Sequence, residues 1–280
     1  MKDTWRRLST HRLGLAGLGV IGAFVILALL APWLAPNDPV RQSLPDALQG
    51  PSLRFPLGTD EFGRCVLSRM LYGSRLSLLV GVLATAIGAI FGISLGLAAG
   101  YFRRLDGYAM RAMDVLLAFP GILLAIAIMA ALGPSLPNVM IAVGIRSIPS
   151  FARLTRGMVL SLAELEFVQG ARALGASHGR VLLGHILPNS ISPLLVFSSM
   201  QVATAILLAA ILSFLGLGVQ PPTPEWGKMV SDGRAYLLEA PHISLFPGMA
   251  IFLTVMGFNC LGDGLRDALD PRLRARTTEP

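Results

Sequence analysis

Apolar residues in this chain gather into runs whose length suits a lipid bilayer. Crossing roughly 30 Å of hydrocarbon takes about 20 helical residues, and such runs fall at 13–35, 76–100, 112–132, 138–160, 191–217 and 244–262. The pattern predicts an all-α membrane protein of six transmembrane helices in one domain. The first run follows Lys2, Arg6, Arg7 and Arg12, as a signal peptide would, but it is too long for a signal h-region of about 7–15 residues and reads as a retained helix. The intervening polar stretches are uneven. Residues 36–58 are rich in Pro, Asp, Gln and Ser and predict an irregular loop. Next, Leu57-Gly-Thr-Asp-Glu-Phe-Gly-Arg64 sets Thr59 or Asp60 as N-cap of a short amphipathic helix through Val66, Leu67, Met70 and Leu71, lying at the interface. The organisation is therefore a terminal segment 1–12, a first span 13–35, a loop with interfacial helix 36–75, a helical core 76–265 containing a polar loop at 161–190, and a tail 266–280.

Local breakers refine this picture. Phe119-Pro120-Gly121 should kink the third span near its start, and Gly133-Pro134-Ser135 should close it in a tight turn. Gly14, Gly17, Gly19 and Gly22 thin one side of the first span, as Gly81, Gly88, Gly92, Gly96 and Gly100 thin the second; small residues permit close helix contact in lipid. The fourth span carries Pro149 and Arg146. An arginine near mid-membrane costs at least about 2.5–3.5 kcal/mol on insertion scales, so it must find a cavity or a polar partner. Arg146 either lines a solute route and attracts a negative group, or it caps carbonyls freed by Pro149 or snorkels outward. Between the last two spans, Gln220-Pro-Pro-Thr-Pro-Glu-Trp-Gly-Lys228 is too proline-rich to be regular; Trp226 suits headgroup level, and 229–238 has the period of a second interfacial helix.

Composition agrees with lipid as the solvent: 54% of residues are hydrophobic, 14% are charged, and mean hydropathy is +0.66. The net charge of +7 resolves into topology. Sorting basic residues by alternate loops puts Lys2, Arg6, Arg7, Arg12, Arg103, Arg104, Arg111, Arg153, Arg156, Arg172, Arg180, Arg266, Arg272, Arg274 and Arg276 on one side. Arg41, Arg54, Arg64, Arg69, Arg75, Lys228 and Arg234 fall on the other, balanced by Asp38, Asp46, Asp60, Glu61, Glu225, Asp232 and Glu239. Basic residues are retained inside, so both termini and the 161–190 loop are expected in the cytoplasm; the high pI therefore points to a membrane protein and away from nucleic acid. Cys65 and Cys260 lie on opposite sides and cannot pair. His11, His178, His185 and His242 have no metal-ligand spacing, and no cofactor is expected on this chain.

The 161–190 loop is patterned beyond the needs of a connector. Phe167, Val168, Ala171 and Leu174 recur at helical intervals, while Gly175 and Gly179 should divide the segment into two short helices. Arg172 and Arg180 rim an apolar tip, which is the anatomy of a docking surface.

Here the chain resembles the inner-membrane permease subunits of bacterial binding-protein-dependent ABC importers. Their loop motif reads E-A-A, three residues, Gly, nine residues, I-x-L-P. Gln169-Gly170-Ala171 stands at E-A-A, Gly175 at the Gly, and Leu187-Pro188 close the pattern, with departures at Gln169, Gly170 and His185. Leu57-Gly-Thr-Asp-Glu-Phe-Gly-Arg64, Tyr72-Gly73-Ser74-Arg75, Phe214-Leu-Gly-Leu-Gly218, Pro221-Pro-Thr-Pro-Glu-Trp-Gly227 and Gly262-Asp263-Gly264-Leu-Arg-Asp-Ala-Leu-Asp-Pro271 are similar to the C-type permease of its dipeptide/oligopeptide/nickel branch. The resemblance implies a type I importer fold in the bacterial inner membrane, a B-type permease partner, two cytoplasmic ATPases that bind ATP and Mg, and an extracytoplasmic solute-binding protein. It makes Glu166, Phe167, Val168, Gly170, Ala171, Arg172, Leu174, Gly175, Ala176 and Ser177 the ATPase contact, with Phe167, Val168 and Leu174 as anchors and Arg172 as a rim charge. The expected cargo is a di- or oligopeptide, with nickel or another metal complex or small solute as the alternative.

Two other classes fit less well. A self-sufficient channel or secondary transporter usually needs intramembrane acids, and the spans hold almost none away from their ends. An intramembrane enzyme would need a constellation such as H-E-x-x-H or paired intramembrane carboxylates, neither of which occurs. The chain also lacks G-x-x-x-x-G-K-[ST], so it cannot cradle phosphates as an ATPase does.

Overall fold

The computed structural model describes residues 11–269, so Lys2, Arg6, Arg7, Arg272, Arg274 and Arg276 lie outside the described residues. Helix dominates that span. We label α1 Arg12–Leu34, α2 Val66–Tyr101, α3 Arg103–Ala118, α4 Gly121–Leu132, α5 Leu136–Ala163, α6 Glu166–Ala173, α7 His178–Phe214, α8 Trp226–Gly233 and α9 His242–Leu269. Four of these, α1, α2, α7 and α9, are long and apolar enough to cross a membrane, and the bent pair α3 and α4 would make a fifth span. α5 has the length, at 28 residues, but carries Arg146, Arg153 and Arg156. The arginines lower its hydropathy below that of its neighbours.

Three expectations change on contact with the structure. Residues 66–75 do not form a separate interfacial helix; they are the opening turns of α2, which runs unbroken for 36 residues. Cys65 is its N-cap and Thr59 and Asp60 are not, because both are buried in other bonds. Thr59 Oγ1 donates to the Asp46 carbonyl at 2.5 Å and accepts from Gln49 N–H. The third span is broken more sharply than a kink, with α3 and α4 meeting at 92° across Phe119 and Pro120. Trp226 turns into the bundle and away from its surface. Its ring is buried, stands edge-on to Phe24 at 5.3 Å, and donates Nε1–H to the Met70 carbonyl at 3.1 Å. The indole found its acceptor inside the bundle, which makes full burial tolerable.

Glycine sets the closest packing. α2 and α5 run side by side in the same direction, and a Cβ added to Gly92 would stand 2.5 Å from Phe151 Cβ and 2.6 Å from the Ile148 carbonyl. At Gly96 it would stand 2.5 Å from the Ala152 carbonyl and 2.6 Å from Thr155 Cβ, and at Gly100 2.7 Å from Val159 Cβ. Hydrogen is the only side chain these positions admit. A similar approach joins α1 to α9, where Gly17 faces the backbone of Gly257 and Leu261. Around the seam, Val80 and Ala84 of α2 share one core with Ala125 and Met129 of α4, Val139, Ala142 and Val143 of α5, and Ala205, Leu208 and Leu212 of α7. Outward-facing apolar side chains such as Leu29, Trp33, Ile90 and Phe91 remain exposed, as helices solvated by lipid require.

Polar interactions concentrate at the two ends of α2. At the Val66 end, Asp60 Oδ2 accepts from Arg64 Nε at 2.6 Å and faces Arg69 Nε at 3.3 Å, while Arg64 Nη2 reaches Glu61 Oε1 at 3.1 Å. Arg69 Nη1 also donates to the Pro39 and Pro222 carbonyls. One arginine thus ties the 36–65 segment to the loop before α8. Beyond the seam, Arg156 of α5 grips Asp106 of α3 with both Nε and Nη2, at 2.5 and 2.6 Å, and Arg153 pairs with Asp114.

Candidate functional site

At the Tyr101 end, the chain leaves α5 and forms the eight-residue α6. The turn between them is held by Gln169, whose side-chain amide donates to the Ala163 carbonyl at 2.8 Å. Glu166 occupies the first turn and Arg172 the last, each matching the sign of its helix end. The helix then stops abruptly. Gly175 adopts φ +81°, its N–H bonds the Arg172 carbonyl at 2.9 Å, and Ala176 N–H bonds the Ala171 carbonyl at 3.0 Å. These are the paired bonds of a Schellman ending, for which glycine's left-handed backbone is needed. Ser177 starts α7, its hydroxyl accepting from Arg180 N–H.

Gly179 does not break the helix as its type suggested; it sits inside the first turn of α7. The next residues, Val181–Ile186, are wound as a π-helix before α-helical geometry resumes at Leu187. Such insertions often accompany functional segments.

α6 has two faces. Phe167 and Leu174, seven residues apart, lie on one; Leu174 is 91% exposed and Phe167 45%. Gly170 is exposed between them, with open space around it, and Ala171 is half-buried. Val168 and Arg172, four apart, lie on the opposite face. Val168 is fully buried in a cluster with Leu97 of α2, Val159 of α5, and Val181 and Ile186 of α7, against which Ala176 also packs. Its apolar surface is consumed within the chain and is not part of the outward face. The Arg172 guanidinium likewise turns inward, lying 4.8 Å from the centre of the Tyr101 ring.

Arg146 stands far from this loop in the bundle. It is half-buried, with its guanidinium against the backbone of Gly121: a Cβ there would approach Cζ and Nη2 to 3.1 Å. That places it in the elbow between α3 and α4. Sequence reading missed Gln169 as a turn-holding residue and Tyr101 as a neighbour of α6. The substitution of an amide for an acid at 169 was the available signal for the first; for Tyr101 there was none, since it lies 71 residues before Arg172.

Comparison with known proteins places this architecture. The sequence model of the binding-protein-dependent transport system inner membrane component matches residues 75–275, which contain α6 and most of the helical core. The chain belongs to that family. A second match, to the N-terminal TM domain of oligopeptide transport permease C, covers residues 1–51 of the permease. Over 275 residues it is 49% identical to the dipeptide transport system permease protein DppC of Alkalihalophilus pseudofirmus, spanning 98% of this chain and 90% of that one. It is 50% identical to the glutathione transport system permease protein GsiD of Salmonella typhimurium, spanning 98% and 91%. The crystal structure of an amino acid ABC transporter with histidines superposes with a TM-score of 0.53 over 70% of the permease and 91% of that chain, at 17% identity, a likeness of fold. This permease is accordingly a multi-pass membrane subunit of a transport system.

Proposed function

We propose that this permease forms one half of the translocation path of an ATP-driven importer of di- or oligopeptides in the bacterial inner membrane. The other half is a B-type permease; two cytoplasmic ATPases bind ATP and Mg, and a solute-binding protein delivers cargo from outside. Six crossings are assigned: α1, α2, the bent pair α3 and α4, α5, α7 and α9. The arginines of α5 then face α3 and α4, and both termini and α6 lie in the cytoplasm. Peptide cargo is inferred from the dipeptide and glutathione permeases that match the chain almost end to end.

The observation that carries the coupling role is Leu174, a large apolar side chain 91% exposed at the tip of a water-facing helix. Burying such a side chain in a partner's groove is worth about 1.5–3 kcal/mol. Phe167 beside it extends the patch, Gly170 leaves room for close approach, and Glu166 and Ser177 lie at its ends. Leu174→Asp should therefore weaken ATPase association roughly 10- to 200-fold and abolish ATP-coupled uptake while the permease still inserts. Full uptake with the ATPase retained refutes the assignment.

Arg146 is proposed to face the path between the permeases from the α3–α4 elbow, where its guanidinium lies against Gly121. Arg146→Ala should lower uptake of peptides with a free carboxylate more than it lowers assembly. Disappearance of the protein from the membrane would assign it a structural role instead.

A further inference from the structure

Apart from the Gln169 amide, which ties the start of α6 to the end of α5, two different kinds of contact hold α6 to the bundle. The first is the Val168 plug, buried among Leu97, Val159, Val181 and Ile186. Apolar burial is non-directional, so a plug keeps α6 close yet lets it slide or turn in place. The second contact is directional and centres on Tyr101, the last residue of α2.

The Tyr101 hydroxyl is 3.0 Å from His178 Nδ1, in the first turn of α7. Its ring meets the His178 ring edge-on at 5.5 Å, and Phe102 meets both, at 5.1 and 5.7 Å. Over the same ring lies Arg172 of α6, with Cζ 4.8 Å from the centroid. Arg172 Nε is buried without a hydrogen-bond partner. Leaving a guanidinium N–H without an acceptor is unfavourable, so the ring contact and the surrounding packing must hold the head group there. A cation over a ring fixes both separation and angle. Arg172 and His178 flank the Schellman turn at Gly175, so both ends of the loop after α6 are secured to one aromatic side chain.

We infer that Tyr101, Arg172 and His178 form a clamp that fixes the orientation of α6 relative to the end of α2, making a displacement of α6 move α2 instead of being absorbed in the loop. Tyr101 is a positioning residue; it touches neither cargo nor ATPase. The inference rests on the reading of α6 as the ATPase contact. Without the clamp, α6 would still present Leu174 and Phe167 outward, and docking would persist. What would be lost is the transmission of movement.

The test uses the complete complex, both permeases with the ATPases, in liposomes supplied with the binding protein. ATPase retention, ATP hydrolysis and peptide uptake are measured together. Tyr101→Ala should retain the ATPase at wild-type level while peptide imported per ATP hydrolysed falls about fivefold or more. Tyr101→Phe, which keeps the ring beneath Arg172, should recover most of that ratio. Arg172→Gln should resemble Tyr101→Ala, and the double variant should be no worse than either alone. A wild-type ratio in Tyr101→Ala, a phenylalanine no better than alanine, additive single losses, or loss of the ATPase from Tyr101→Ala would each overturn the clamp. Failure of the underlying docking assignment reads differently: there Leu174→Asp keeps the ATPase bound.

Discussion

Gly92→Ala adds one methyl group where α2 and α5 pack backbone to backbone. The new Cβ would stand 2.5 Å from Phe151 Cβ and 2.6 Å from the Ile148 carbonyl, where ordinary contact begins near 3.4 Å. Since the carbonyl belongs to α5 itself, no rotamer change relieves the overlap; the helices must part by roughly 0.9 Å or the backbone must bend. A gap of about 0.5–1 Å forfeits a quarter to a half of each dispersion contact along the seam, and overpacking of this kind typically costs about 1–3 kcal/mol. Gly19→Ala on α1 is the internal control, because nothing lies within 4 Å of its Cβ. There the helix propensity of alanine should be gained without penalty, up to about 1 kcal/mol. Gly92→Ala gains the same propensity, so the two variants should differ by the overpacking cost alone, about 1–3 kcal/mol, in resistance of the purified protein to unfolding by SDS, followed by near-UV circular dichroism. Gly88→Ala should fall between them, since the first atom in its way is the Ser147 hydroxyl, which can rotate. Equal stability of Gly92→Ala and Gly19→Ala would refute the close approach of α2 and α5.

At the Val66 end, burial and then the neighbouring Asp60 carboxylate hold Glu61 above its ordinary carboxyl range. The folded protein therefore keeps this proton to higher pH than the unfolded chain does. Its contribution to stability is complete below the unfolded value of 4.5 and is lost as pH rises through the folded value. Glu61→Gln should flatten that decline and leave the protein more stable at neutral pH; thermal unfolding from pH 4 to 8 with an unchanged slope would sink the account. Orientation can be read from two fully presented leucines, Leu174 and Leu238, at 91% and 100% exposure. In cells lacking the ATPase subunits, Leu238→Cys should react with an impermeant maleimide while the cells are intact and Leu174→Cys only after permeabilisation, and the reverse pattern would invert the topology.

What could be read from the chain followed from where lipid is the only solvent. Apolar run length placed both ends of α1 and the start of α9 to within two residues, while α9 runs on past its apolar stretch through Asp263, Arg266 and Asp267. It failed at 66–75, where a cap at Thr59 or Asp60 followed by Val66, Leu67, Met70 and Leu71 suggested a short helix at the interface; inside the bundle these are the first turns of α2, and Arg69 pairs with Asp60 and two carbonyls. Pro120 announced a break, but its 92° angle depends on how α3 and α4 pack on α5, which no local signal carries. At α6 the helical period was legible and the direction of its faces was not. Val168 and Phe167 are adjacent apolar residues, and only the positions of Leu97 and Val159, supplied by distant helices, decide which is buried. The Gly175 ending was readable because a left-handed turn leaves few choices of residue.

The 36 uninterrupted residues of α2 have a mechanical meaning. At about 1.5 Å per residue they form a rod of about 54 Å, well beyond the roughly 30 Å of hydrocarbon around it. Its lower tip carries Tyr101, and its upper tip carries the Arg69 tie to the 220s loop. A tilt of about 5° about the midpoint would swing each tip by about 2.4 Å in opposite directions. With no proline or break along its length, a helix that tilts as one rod would deliver a push at one surface to the other, with the membrane between them as fulcrum.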